Sequence, residues 1–381
     1  MSWEMTIIGD HCTVTSSKRF HLSERSNSGV PFYCSKEIIQ KNRGEEITDC
    51  DYISEELYLN IAEKFGVPQE NDLLVTTRGT IGVPYLYRRN DRFYFADGNL
   101  TWIKDFKETL LPHFLYYWFR THEGQKKIDA IAKGTAQKAV PIAGIKTLEI
   151  SLPPVDVQRQ IADILTTYDS LIENNRKQIK LLEEAAQRLY KEWFIDLRFS
   201  GHEITPIVDG IPEGWENASV TDLLEIRYGK DHKALEDGSV PVYGSGGLMW
   251  KVNKILHSGE CVLIPRKGSL NNIILVNGDF WTIDTMFFGV PRRPNVAKYV
   301  YLFLLGIDMY AMNIGAAVPS MTVKILDGMK VLCPTPGILE QFENMVRPFF
   351  SMIEMLKRKN KSLADARDLL LPKLMSGELE V

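Results

Sequence analysis

The chain is poor in cysteine, and its five, Cys12, Cys34, Cys50, Cys261 and Cys333, are scattered, odd in number and never spaced as C-x-x-C. That pattern argues against a disulfide framework and a structural zinc, and for a reducing interior. There is no surplus of positive charge, with 45 Lys and Arg against 49 Asp and Glu, so any polyanion site has to be local. No apolar run reaches the roughly 18 residues a membrane span needs, and the start, MSWEMTIIGD, lacks a cationic stretch followed by an apolar core. Cytoplasm is the expected location. Motifs for chemistry are missing too: there is no G-x-x-x-x-G-K-[ST], no G-x-G-x-x-G after a strand, no H-E-x-x-H and no G-x-S-x-G. The seven histidines show no i, i+4 pairing, so no metal site is expected. Tyr243-Gly244-Ser245-Gly246-Gly247 is glycine-rich, but the helix and lysine of a phosphate cradle do not follow it. It reads as a loop that lets backbone approach a ligand, and no catalytic residue is expected.

What is present is an ordinary globular composition, 44% hydrophobic and 25% charged, and a length that allows two or three domains at roughly 100 to 200 residues each. The chain repeats itself. Trp3-Glu4 reaching Gly9-Asp10 recurs as Trp215-Glu216 reaching Thr221-Asp222, the second copy introduced by the turn Ile211-Pro212-Glu213-Gly214. Asp72 to Thr80 matches Glu260 to Ser269 with one extra residue before the glycine, each reading as a strand entering a glycine turn. Val140-Pro141, Lys146 and the strand Glu149 to Pro153 match Val318-Pro319, Lys324 and Lys330 to Pro334. Several matched features in one order point to a tandem duplication.

Each copy leads into a long helical stretch. From about Val155 to Leu197 there is no glycine or proline after Pro154, which predicts a helix on the order of 60 Å long. Its apolar seam repeats every seven residues through Ile161, Tyr168, Asn175, Leu182 and Leu189, and through Leu165, Ile172, Ile179, Ala186 and Trp193. This is a coiled-coil pattern in which the central Asn175 is suited to fixing register. The second stretch offers Phe342, Met345, Phe349, Met352, Leu356, Lys359, Leu363, Ala366 and Leu370, with a kink or break expected near Arg347 because Pro348 removes a backbone donor. The two seams are expected to bury each other in an intramolecular antiparallel coiled coil; pairing between molecules is the alternative.

The globular copies carry polar glycine loops with basic residues at their tips, which suit a nucleic-acid surface, although no segment is basic overall. Candidate DNA contacts in the first copy are Lys18, Arg19, Arg78, Thr80, Lys133, Thr135, Gln137 and Lys138. Gln137 can make two hydrogen bonds to adenine and Arg78 two to guanine, while Thr80 or Lys138 can hold phosphates. In the second copy they are Lys230, Tyr243, Ser245, Arg266, Lys267, Ser269, Asn271, Asn272 and Asn313. Such residues taken singly are more often solvated surface, and their concentration in matched loops is the stronger signal.

The run Leu152-Pro153-Pro154-Val155-Asp156-Val157-Gln158-Arg159-Gln160-Ile161-Ala162-Asp163-Ile164-Leu165, then Leu171 to Asn175 and Leu189 to Phe194, resembles the central conserved region of type I restriction-modification specificity (S) subunits. Arg367 to Glu378 is similar to that family's second conserved region, and Tyr243 to Gly247 and Arg266 to Ser269 to loops of its target recognition domains. The resemblance implies an α+β fold with two target recognition domains, residues 1–152 and 213–334. It also implies two long helices, 153–198 and 335–375, forming an antiparallel coiled coil, with a linker at 199–212 and a tail at 376–381. It further implies a non-catalytic subunit that reads double-stranded DNA, each domain taking half of an asymmetric bipartite site. The helices would set the spacing and dock two methyltransferase subunits, and the full enzyme would add two ATP-driven restriction subunits. S-adenosylmethionine, ATP and Mg would then bind those partners and not this chain. Pro348 departs from an uninterrupted second helix. A coiled-coil scaffold for non-DNA partners and the recognition module of a different restriction system are the alternative readings.

Overall fold

The computed structural model describes residues 3–19, 21–134, 138–313 and 318–381. The chain divides into two compact units, residues 1–177 with 357–381, and residues 178–356. Neither follows the linear division into domain, helix, domain, helix: each unit takes one globular copy and half of each long helix.

The first unit is built from β1 (Glu4–Ile7), β2 (Thr13–Thr15), β3 (Val30–Tyr33), α1 (Ser35–Asn42), β4 (Asp51–Ile53), α2 (Glu55–Lys64), β5 (Leu73–Thr76), β6 (Pro84–Leu86), β7 (Tyr94–Phe95), β8 (Leu100–Lys104), α3 (Pro112–Arg120), α4 (His122–Ile131), α5 (Ile142–Lys146) and β9 (Glu149–Leu152). Local chemistry sets several boundaries. Ser54 caps α2 by accepting from the Leu57 N–H, Pro112 pre-sets the first turn of α3, and the Cys34 N–H donates to Glu37 at 2.8 Å at the start of α1. β5 is buried on both faces, as a central strand should be. It sits in the sheet β2-β8-β5-β6; a second sheet runs β4-β3-β7, and β1 pairs antiparallel with β9.

The long helix α6 (Val155–Tyr190) starts in this unit, ends in the second and finishes in a π turn, Lys191–Ile195. The second unit continues with β10 (Ile207–Val208), β11 (Ile211–Pro212), β12 (Glu216–Ser219), α7 (Val220–Leu223), β13 (Leu224–Tyr228), β14 (Asp237–Gly244), β15 (Gly247–Val252), β16 (His257–Pro265), β17 (Ile274–Thr282), β18 (Met286–Pro291), α8 (Ala297–Leu305), α9 (Val323–Gly328), β19 (Lys330–Cys333) and the long helix α10 (Pro336–Ser376), whose last part belongs to the first unit. One six-stranded sheet runs β13-β18-β16-β17-β14-β15.

The duplication is visible in the strand topology. β12 pairs antiparallel with β19, Glu216 opposite Cys333, as β1 does with β9, Glu4 opposite Leu152. β13-β18-β16-β17 repeats β2-β8-β5-β6, and the parallel pairing of β14 with the end of β17 repeats that of β3 with β7. The ladder also corrects the alignment read from the sequence. Thr76 faces Leu100 as Pro265 faces Met286, and the N–H of Thr77 bonds Asn99 as that of Arg266 bonds Thr285. Arg266 is therefore the counterpart of Thr77, and Lys267 that of Arg78, with no extra residue before the glycine. Likewise Val140 donates to the Thr77 carbonyl where Met321 donates to that of Arg266, so Val140 corresponds to Met321 and not to Val318. Strand register is set by partners across the sheet, which an alignment of similar letters does not see.

In the first unit Ile161 and Leu165 of α6 pack in one core with Leu371, Leu374 and Met375 of α10, and the Asn175 Nδ2 donates to Asn360 Oδ1 at 2.8 Å. In the second unit Ala186, Tyr190 and Trp193 share a core with Phe342 and Val346, the Tyr190 and Phe342 ring centres 6.3 Å apart. In both, residues later in α6 meet residues earlier in α10, which makes the pairing antiparallel. Ile172 is buried, and Tyr168, Ile179, Leu182 and Leu189 are half-buried. On α10 the buried stripe differs from the one expected. Met345, Met352 and Lys359 are exposed, and their neighbours Val346, Ile353 and Asn360 turn inward, along with Leu356 and the half-buried Phe349, Leu363, Ala366 and Leu370. Spacings of three or four are both helical, and at two of the three steps an apolar residue sits at either choice, so composition left the seam ambiguous. The break expected at Pro348 does not occur: α10 is one helix, with Val346 and Ile353 buried on either side.

Candidate nucleic-acid interface

In the first unit the turn after β5 carries the exposed Arg78 ahead of Gly79, whose φ of 77° is a left-handed conformation that glycine adopts without strain. Arg78 is bridged to Ala139, and Ala139 to Lys133 through backbone bonds of 2.8 and 2.9 Å. The two basic loops thus form one edge. Thr80, Lys133 and Lys138 are exposed on it, with the Lys138 ammonium 3.4 Å from Asp129. The Thr77 N–H donates to Asn99, two residues after Asp97, which holds Arg19 at 3.3 Å. Lys18 is half-buried, its ammonium 3.7 Å from Glu24 and 5.7 Å from the centre of the Phe65 ring. Thr135 and Gln137 lie outside the described residues.

The second unit repeats this arrangement. Lys267 is exposed after β16, followed by Gly268 at φ 87°, and is bridged to Ser320 as Arg78 is to Ala139. Three further segments close on this turn. Asn272 Nδ2 donates to the Ser245 carbonyl at 2.8 Å, drawing in the Tyr243 to Gly247 loop. Asn271 Oδ1 accepts from the Met309 N–H at 2.9 Å, and Asn313 Oδ1 accepts from the Ser320 N–H at 2.8 Å. These asparagine amides tie loops together. Arg266 is also engaged within the unit: its guanidinium donates to the Asp284 carbonyl at 3.1 Å and lies 5.4 Å from the Tyr228 ring centre. Tyr243 is half-buried against the β core, and burial pushes its phenol pKa up. Lys230 and Ser269 are exposed; the Lys230 carbonyl accepts from the Trp281 indole at 2.8 Å.

Sequence reasoning missed Tyr310, whose hydroxyl donates to the Gly268 carbonyl at 3.2 Å while the residue stays 45% exposed. Nothing local marked it, because its partner lies 42 positions away. Among the described residues no group of three or more His, Cys, Asp and Glu could hold a metal, and no helix is long and apolar enough to cross a membrane.

Each unit thus offers an exposed cation, a left-handed glycine and hydroxyl or amide donors on clamped loops. This defines a class of proteins in which one α+β fold is repeated in tandem. The profile of the family described as type I restriction modification DNA specificity domain matches residues 1–184. Among curated relatives, the type I restriction enzyme MjaIX specificity subunit of Methanocaldococcus jannaschii is 25% identical over 315 residues, 72% of this chain and 71% of its own. The MjaVIII specificity subunit of the same organism is 23% identical over 416 residues, 100% of this chain and 93% of its own. The crystal structure of the S subunit of a type I restriction-modification system from M. genitalium has the same fold, with a TM-score of 0.60 at 17% identity, covering 98% of this chain and 96% of that one. Over its first 184 residues by family profile, and over most of its length by curated relatives, the chain is similar to type I restriction-modification specificity subunits.

Proposed function

We propose that this chain is the DNA-reading subunit of a type I restriction-modification complex, each unit recognising one half of an asymmetric bipartite site. The observation that carries the reading is the turn repeated at one topological position, Arg78-Gly79 after β5 and Lys267-Gly268 after β16. A cation ahead of a left-handed glycine at the tip of a rigid strand suits it to meet a phosphate or a guanine edge, and the clamped loops beside it add the donors that fix register. Two such turns with different neighbours, Asp97 and Asn99 in one unit and Ser245 and Tyr310 in the other, fit two different half-sites.

The spacing of the half-sites is assigned to α6 and α10. These helices of 36 and 41 residues are on the order of 50 to 60 Å long, and each passes from one unit to the other without a break. Two adenine-methyltransferase subunits dock on them, and two ATP-driven restriction subunits join in the full enzyme. S-adenosylmethionine, ATP and Mg are held by those partners, and this chain performs no chemistry. It works in the cytoplasm, where its DNA is. Near-neutral recognition units bind weakly alone, so the partners supply much of the phosphate contact. The test is co-expression with the cognate methyltransferase followed by modified-base sequencing. The expected result is adenine methylation at one gapped motif; methylation that persists after this chain is deleted overturns the reading.

A further inference from the structure

Three consecutive large apolar residues at the start of β15 are exposed: Leu248 at 61%, Met249 at 50% and Trp250 at 57%. Scattered single apolar residues on a surface need no explanation, but a contiguous group does. The strand is the edge of the six-stranded sheet, and its other end is held by the small core of Val240, Val242, Val252 and Trp281. The Trp250 indole donates to Asp237 at 2.9 Å, which fixes the ring. No such group occurs at the matching place in the first unit. There Phe32 faces Asp51 where Val242 faces Trp250, and the connection carries α1 and the acidic Glu45, Glu46 and Asp49 instead of a tight turn.

What covers the group follows from its neighbours. Gly247, directly before Leu248, ends the loop whose Ser245 carbonyl is clamped by Asn272, and Ser245 Oγ lies 2.9 Å from where a Cβ on Gly268 would stand. The apolar group is therefore continuous with the Lys267-Gly268 turn, and it is followed by the exposed Lys251 and Lys254. Leucine and methionine at an exposed strand end flanked by cations are the residue types that enter a base step from a groove, where unstacking is offset by apolar burial.

We propose that Leu248 and Met249 form a wedge that presses between two base pairs at the second half-site, a contact the first unit does not make. This rests on the DNA-recognition reading above, and the test separates the two. The complete complex with its methyltransferase subunits is titrated onto duplexes carrying 2-aminopurine at successive positions in and beside the second half-site, leaving out the adenine that is methylated. The wild type is expected to raise fluorescence at one step. The L248A/M249A variant is expected to lose most of that rise and to bind about tenfold more weakly. L59A, which trims an exposed apolar residue of the first unit, is expected to leave both readouts unchanged. Intact site-specific methylation with no responding step overturns the wedge and leaves the reading standing. Variants that fold and bind DNA as before but no longer assemble with the methyltransferase also overturn it, since the group is then covered by protein. Loss of gapped methylation by the wild-type complex would sink the underlying reading itself.

Discussion

Replacing Asp169 with Asn removes one charge from a joint between α6, α3 and α10 while keeping its shape. Asp169 Oδ2 accepts from the Tyr117 hydroxyl at 2.9 Å and from Arg120 at 2.8 Å, and Oδ1 accepts from Arg367. Burial works to raise this carboxyl, but the two guanidiniums prevail and hold it below the usual aspartate range. The side chains of Asp169, Arg120 and Arg367 are 27%, 20% and 13% exposed, between the exposed pairs worth about 0 to 1 kcal/mol and the buried ones whose breakage costs about 3 to 5. D169N is therefore expected to lose about 2 to 3 kcal/mol, which for a unit of this size lowers its melting temperature by roughly 5 to 10 °C. The folded-state pKa lies below the unfolded one of about 3.9, so the contribution is complete above the unfolded pKa and disappears as pH falls through the folded pKa. Urea denaturation of both proteins from pH 7 down to pH 3 should show a gap that is full at neutral pH and narrows in acid. A loss under about 0.5 kcal/mol, or a gap that stays constant with pH, refutes the reasoning. The second unit has a different solution at the matching place. Counted from the helix starts Val155 and Pro336, Phe350 stands where Asp169 does, and Leu305 ends α8 where Arg120 ends α3. The triple replacement D169F/R120L/R367A, which copies Phe350, Leu305 and, by the same count, Ala186 of α6, is expected to regain part of the loss.

The remaining predictions concern recognition and register. R78A and K267A should each weaken DNA binding by about 1 to 3 kcal/mol and relax one position of its own half-site if the cation reads a base; a uniform loss with a salt slope smaller by about one assigns it to phosphate. Equal loss at both half-sites from either variant contradicts the assignment of one half-site to each unit. N175A strands the Asn360 amide and should cost about 1 to 3 kcal/mol in denaturation. N175L/N360L together should recover that loss while helix register becomes less unique, seen as doubled amide resonances; a cost from the pair as large as from N175A argues against the register role. Four residues inserted between Lys180 and Leu181 should change the unspecified gap or unfold the helix pair, read by modified-base sequencing and circular dichroism, and an unchanged gap with both helices intact removes them as the spacer.

The sequence by itself determined the duplication, the absence of a motif for chemistry, the two long helices and the glycine turns after β5 and β16. These follow from local preference and from spacing along one chain: runs of helix formers, seven-residue repeats, and strands that stop at a glycine. Only the tertiary structure decided which letters correspond between the copies, placing Lys267 and not Arg266 opposite Arg78, because register is set by bonds to β8 and β18. It also decided which stripe of α10 is buried, since Met352 and Ile353 are equally apolar and only the surface they meet chooses between them. The roles of Asn271, Asn272, Arg266 and Tyr310 belong to the same class. Each side chain answers to a backbone group distant in sequence, and a residue's chemistry states what it is able to bond, while the fold alone states what it reaches.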